Sequence, residues 1–296
     1  DELLTDLTNL SNCRGLKRAE PLIVFEGNVA ADMRNNPRLL PGGGAEASKT
    51  SWSAWLGDAV QIKEPTRAVF RRQSGSNLVL VGQHDEAALA IFTAAALSLV
   101  AGQPDLEPMP MIFAQAVEGL GDEIANLLPE LAPVQLTPQR DLPELLSAWN
   151  EELEKRNDGR SRATPRFLFV YGLHRLRDVR KPDDDFGFSK KGEEQSPYRQ
   201  LVRLLREGPP VGLFTIVWCD TVANLQRYFD RQTLREFEMR VIFQMSANDS
   251  STLMDTPVAS KLGPQRAIYY TEDQGKLEKF RPYALPPLEW LRGLKK

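Results

Sequence analysis

Short apolar runs separated by amphipathic stretches dominate the chain. Residues 77–82 (NLVLVG), 109–114 (MPMIFA), 166–171 (RFLFVY), 213–219 (LFTIVWC) and 239–245 (MRVIFQM) are nearly continuous in Val, Ile, Leu, Met and aromatic residues. Such runs predict strands buried on both faces, because a half-exposed strand would alternate apolar with polar positions. Helical spacing fills the gaps. Residues 85–101 form an alanine-rich apolar helix, and residues 142–156 place Leu145, Leu146, Trp149 and Leu153 on one face. Residues 198–207 give a third, basic helix. Strands alternating with helices predict a parallel sheet covered on both sides, with any ligand crevice beyond the strands' carboxyl ends. The first fifty residues are mixed. Leu3, Leu4, Leu7 and Leu10 have helical spacing, residues 22–25 read as a short strand, and residues 41–47 (PGGGAEA) read as a flexible link. A boundary near residue 50 therefore divides a lead-in, 1–50, from a main domain, 51–296. The charged stretch 180–194 reads as a long exposed loop. No internal repeat or low-complexity segment is visible.

Composition narrows this picture little. The 296 residues are 42% hydrophobic and 26% charged, with a net charge of −3. That balance excludes a surface wrapped in nucleic acid, though not a local basic patch. Arg199, Arg203 and Arg206 share one face of the basic helix, with Lys190 and Lys191 in the loop before it. These five are candidate DNA contacts; the commoner meaning of such a face is a solvated one. Cys13 and Cys219 lie far apart, which fits a reducing, cytoplasmic setting, and two histidines, His84 and His174, exclude a His-rich metal site. No metal is expected. The apolar stretch 87–102 falls short of the ~20 residues of a membrane span and reads as a buried helix. A chain that begins with Asp1 reads as a piece of a longer polypeptide.

The first strong strand ends in glycine and a helix follows at once, which is the setting of a phosphate-binding loop. That loop needs a second glycine, then Lys, then Ser or Thr. The frame from Gly82, with Gln83 and His84 next, instead places Ala87, Ala88 and Leu89 at those positions. Asp85 and Glu86 put negative charge where an anion would sit; without phosphate they stabilise the helix start through its dipole.

Several segments resemble the FtsK/SpoIIIE group of motor ATPases within the wider HerA–FtsK superfamily. EELEKR (151–156) is similar to that group's helix end before its second motif strand. YRQLVRLLREG followed by VGLFTIVWC resembles its basic helix and sensor strand. The longest likeness is MRVIFQMSANDSSTLMD with ASKLGPQRAIYY, where Arg240, Phe243, Gln244, Ser246, Asp249, Ser250, Asp255, Leu262 and Gly263 fall at matching positions. WLGDAVQIKEPTRAVFRRQSGSNLVLVG resembles the lead-in to the phosphate loop. The resemblance spans roughly residues 52–285 and implies an α/β, RecA-like (ASCE P-loop) three-layer fold. The central sheet should be mainly parallel and flanked by helices.

The same resemblance identifies two further positions to check. The third strand should end in an Asp for magnesium and a Glu for water; it ends in Tyr171 and Gly172. The fourth should end in a polar γ-phosphate sensor; it ends in Trp218, Cys219 and Asp220. His174 is a weak substitute base, lacking an evident positioned partner. Trp52, Trp55 and Trp218 read as core rather than as adenine-stacking rings. With all three positions emptied, the expectation is a non-catalytic ATPase-like module needing neither ATP nor Mg²⁺. It would act structurally or regulatorily beside neighbouring modules of a motor that moves DNA or an exported protein, without inserting into a membrane itself. Two alternatives stand beside it. One is a module that still binds nucleotide as part of a DNA translocase. The other is a peptide-binding module like those of type VII secretion ATPases. Arg240 opens the fifth strand and is expected either to pair with Asp249 or Asp255, or to act on a neighbour's nucleotide in trans.

Overall fold

The computed structural model describes residues 28–40, 48, 50–102, 106–114, 120–159, 164–182 and 196–294. Its strands are β1 (Ser51–Ala59), β2 (Thr66–Arg71), β3 (Leu78–Val81), β4 (Met109–Phe113), β5 (Val134–Thr137), β6 (Arg166–Tyr171), β7 (Leu213–Cys219), β8 (Met239–Ile242), β9 (Ala267–Thr271) and β10 (Lys276–Pro282). They form one ten-stranded sheet in the order β2-β1-β10-β9-β8-β3-β7-β6-β4-β5. The run from β8 to β5 is parallel, and the run from β8 to β2 is antiparallel. The helices are α1 (Asp85–Gly102), α2 (Leu120–Leu131), α3 (Leu142–Asn157), α4 (Pro197–Glu207), α5 (Val222–Leu225), α6 (Arg231–Leu234), α7 (Ala247–Met254) and α8 (Leu288–Gly293). The expected helix-flanked α/β architecture with a parallel sheet centre is therefore present.

The parallel strands are buried from end to end, which is why their sequences do not alternate. One core lies between the sheet and α1 and α2, and contains Phe92, Phe169, Tyr171 and Trp218. A second lies on the opposite face against α3 and α4, around Leu146, Trp149, Leu201 and Leu205. Among the described residues α1 is the one helix long and apolar enough to cross a membrane, and 67% of it is buried inside the protein. It is a core helix.

The antiparallel end curls back over the parallel one. Trp52 of β1 and Phe70 of β2 meet Phe214 of β7, each with ring centroids 5.5 Å apart, and Phe70 also meets Phe167 of β6 edge-on at 5.3 Å. Residues on the N-terminal side of the expected boundary join the same body. Ala31 bridges Tyr283, and Met33 and Leu39 pack in a small cluster with Trp55, Ala90 and Ala94. The expected helix near residue 10, the strand at 22–25, the link at 41–47 and most of the loop 180–194 lie outside the described residues.

Two buried polar side chains tie the layers together. Asn77 donates to the carbonyls of Leu205 and Glu236 and accepts from the Thr215 amide, joining the start of β3 to α4 and β7. Arg156, the last residue of the EELEKR segment, pairs with Glu152 at 2.7 Å and donates to the carbonyls of Thr164 and Val211. A buried polar group must find such partners or pay its desolvation in full.

Candidate functional site: an aromatic-filled crevice

The crevice at the carboxyl ends of β3, β6 and β7 is where a phosphate loop would sit. Gly82 closes β3 with φ +138°, and a Cβ there would lie 2.6 Å from the Phe243 Cβ, so only glycine fits. The chain then turns tightly, with the His84 amide on the Gly82 carbonyl at 2.9 Å, and α1 begins at Asp85. The Ala88 amide is already bonded to the His84 carbonyl. The frame that would need an open loop up to the lysine position is thus helical from Asp85 onward. Ala88 and Leu89, at the lysine and hydroxyl positions, point into the core.

Aromatic side chains from the neighbouring strands occupy the space. The Trp218 indole donates from Nε1 to the Gly82 carbonyl at 3.1 Å, and the Tyr171 hydroxyl donates to the Asp85 carbonyl at 3.0 Å. The Tyr171 ring stacks on Phe113 at 4.7 Å and leans against Trp218 at 4.5 Å. Burial, and then the nearby Asp85, push the Tyr171 phenol above its ordinary range, so it stays a neutral donor. A cavity of about 200 Å³ lies beside the start of α1, between Gln83, His84, Asp85, Glu86 and Ala87 on one side and Ala30, Gln265, Tyr283, Ala284 and Leu285 on the other. That is below the ~300 Å³ lower bound of ordinary ligand clefts, and its carboxylates face an incoming anion.

Gly172 follows Tyr171 at φ +86°, where a Cβ would collide with the Ala114 carbonyl at 2.2 Å. The turn it makes sets His174 against Asp220. His174 Nδ1 lies 3.5 Å from Asp220 Oδ1, and its Nε2 accepts from Arg175 Nε at 3.1 Å. Burial lowers the His174 pKa against the opposing pull of Asp220. Asp220 is thus the positioned partner that the sequence does not show, while the Nε2 lone pair that a base would use already accepts from Arg175.

Among the described residues, His174, Cys219 and Asp220 are the one group whose ligand atoms, within 4.8 Å of one another, could hold a metal. Their bonding does not suit a metal. The Cys219 thiol donates to the Thr221 carbonyl at 3.6 Å, and burial pushes its pKa up to about 12. Asn224 Nδ2 takes both Asp220 oxygens at 2.8 and 3.1 Å.

The remaining expected site residues scatter. Lys190 and Lys191 lie outside the described residues. Arg203 is paired with Glu154 at 3.0 Å and with Glu207 at 3.1 Å, Arg206 lies 3.8 Å from Glu236, and Arg199 also has a partner. Two of the three arginines on the basic face of α4 thus lie beside carboxylates. Arg240 is buried. It donates to the carbonyls of Phe237, Leu253 and Leu234 and pairs with Glu272, which corrects the expected partners Asp249 and Asp255. The reason is topological: β8 pairs antiparallel with β9, Arg240 opposite Tyr270, which brings Glu272, just past the end of β9, alongside Arg240. Trp52 and Trp55 are buried on β1, away from the crevice. Phe113 was missed as a site residue, although aromatics at the ends of three adjacent strands, Phe113, Tyr171 and Trp218, were a usable signal.

The chain shares its fold with solved ATPase-domain structures of secretion and conjugation proteins, at sequence identities low enough that only the fold is shared. Among the similar solved structures is EssC (ATPases 2 and 3) from Geobacillus thermodenitrificans, with a TM-score of 0.60 and 13% identity over 88% of this chain and 50% of that one. The pCW3 conjugation coupling protein TcpA, solved with ATPγS, gives 0.57 and 12% over 88% of this chain and 75% of that one. Thermomonospora curvata EccC (ATPases 2 and 3) in complex with a signal sequence peptide gives 0.52 and 14% over 93% and 49%. The chain spans about half the length of the EssC and EccC structures. No family model matches the chain, and no curated protein matches it.

Proposed function

We propose that this chain is a non-catalytic, ATPase-like module of an FtsK-type motor, acting structurally or regulatorily beside neighbouring modules in a cytoplasmic assembly. The observation that carries the reading is the filled crevice: Trp218 and Tyr171 donate to the Gly82 and Asp85 carbonyls and pack their rings against the start of α1, beside the turn where a phosphate loop would form. Phosphoryl transfer relies almost wholly on positioned cations and donors, and the lysine, hydroxyl and carboxylate positions hold Ala88, Leu89, Tyr171 and Gly172. On this reading neither ATP nor Mg²⁺ is a required cofactor. The multi-ATPase architecture named for EssC and EccC supports a role within a tandem or ring. Isothermal titration of the chain with ATP–Mg²⁺ and ADP tests it. The expected result is no heat of binding at tens of micromolar protein. Low-micromolar affinity would overturn the reading in favour of a nucleotide-binding translocase module. A second reading, a peptide-receiving module, draws on the EccC complex with a signal peptide.

A further inference from the structure

A second cleft lies at the other end of α1. It measures about 510 Å³ and is lined by Ser51, Ser53 and Trp55 of β1, by Arg67, Val69 and Arg71 of β2, and by Ser98 and Gly102 near the C-terminus of α1. At 1.5 Å per helical residue, this end of α1 is roughly 20–25 Å from the crevice at Asp85. Ser51, Ser53 and Trp55 pair across the ladder with Arg71, Val69 and Arg67, so the six side chains share one face of the β1–β2 hairpin.

The charge on this face is one-sided. Arg38 also lines the cleft, and its guanidinium and that of Arg67 lie 5.3 and 5.2 Å from the centre of the Trp55 ring. The carboxylate lining the cleft is Glu64, bonded to Arg38 at 2.5 Å. Among the described residues neither Arg67 nor Arg71 has a carboxylate at ion-pair distance, and both are exposed. Arg67 and Arg71 are four residues apart on a strand, hence roughly 13 Å apart on the same face. β2 is also the last strand of the sheet, so its outer backbone edge has no strand partner among the described residues. An open edge carries a row of amide and carbonyl groups that an extended chain can pair with.

We propose that this cleft binds an extended acidic peptide segment, which adds to the β2 edge and places carboxylates four residues apart against Arg67 and Arg71. The matching period of two extended strands supplies the register, and the two guanidinium groups, on which Glu64 and Glu238 act only from beyond ion-pair distance, supply the sign. Nucleic acid fits less well. Trp55 is buried and already bracketed by guanidinium groups, so it offers no stacking platform for a base. The site is independent of the state of the nucleotide crevice.

Fluorescence anisotropy on the full chain tests it with a labelled extended peptide bearing glutamates four residues apart. Controls are the same peptide with lysines in place of the glutamates, a single-stranded oligonucleotide of equal charge, and inorganic phosphate. The acidic peptide is expected to bind, to weaken at least 10-fold with Arg67→Glu and Arg71→Glu combined, and to weaken as salt is raised from 50 to 300 mM. Both arginines are exposed, so an unchanged melting temperature confirms that the variant is folded. Absence of binding, binding indifferent to the charge reversal in the folded variant, or tighter binding of the oligonucleotide or of phosphate alone would overturn the proposal.

Discussion

Arg240 illustrates how a residue can be right in position and wrong in role when read from sequence. An arginine opening a buried strand must be paired or reach an edge, and that much follows from its surroundings in the chain. Its partner does not, because Glu272 immediately follows β9, whose sequence AIYYT is too short and mixed to declare its pairing with β8. In the folded protein the guanidinium holds three carbonyls as well as Glu272, an arrangement only a planar fork of donors can serve. Arg240→Ala should therefore cost about 2–4 kcal/mol, at the lower part of the usual range for a broken buried pair because Glu272 is partly exposed and regains water. For a chain this long that lowers the melting temperature by roughly 3–6 °C. Arg240→Lys should lose nearly as much, since one ammonium cannot reach all three carbonyls. Differential scanning calorimetry of both variants decides the matter. Unchanged stability would mean that the residue is held for some purpose outside this chain.

At the scale of elements, the parallel strands were legible because each is buried on both faces and so reads as an unbroken apolar run. β3, β4, β6, β7 and β8 all lie where the runs placed them, with ends shifted by a few residues. The antiparallel strands were not legible. β1 and β2 interleave Ser, Arg and Gly with Trp and Phe, and β10 is largely charged outside Phe280, because one face of that hairpin sheet meets solvent. α2, which carries Pro129 inside it, is not among the helices expected from the spacing. The crevice was half legible. Losses at Ala88, Leu89 and Tyr171 could be read directly, but the bonds from Tyr171 and Trp218 to the Gly82–Asp85 backbone join residues 86 and 136 positions apart. They explain why restoring the motif alone should fail. Ala88→Lys with Leu89→Thr writes a lysine and a hydroxyl into a helix whose side chains at those positions are fully buried. Burying an ammionium there without a partner should destabilise the fold, and the third strand would still offer no carboxylate. The expected outcome is a lower melting temperature with phosphate release at the buffer rate. Turnover well above that control would show that another group, His174 first among them, already serves as a base.

For the whole molecule, the question is whether the antiparallel and parallel regions of the sheet are separate folding units. Their joining at β8–β9 is a single antiparallel pair, which by itself would allow independence. The side chains say otherwise. The β1–β2 hairpin buries Trp52 and Phe70 against Phe167 and Phe214 of β6 and β7, and α1 packs on β1 while belonging to the same core as Phe169 and Trp218. Aromatic pairs of this kind add about 0.5–1.5 kcal/mol each beyond their burial. A hairpin torn from that core would expose large rings on one side and strip the cover from β6 and β7 on the other. Neither region keeps a sufficient core of its own, so the two should unfold together. Thermal unfolding should then give one transition, with coincident midpoints from far-UV circular dichroism and from tryptophan fluorescence. Single-tryptophan variants make the comparison local. One that keeps Trp52 reports on the antiparallel hairpin, and one that keeps Trp149 reports on α3 behind the parallel strands. The same midpoint from both is the expected result. A hairpin transition several degrees below the other would show that β1 and β2 can detach while the parallel core stays folded.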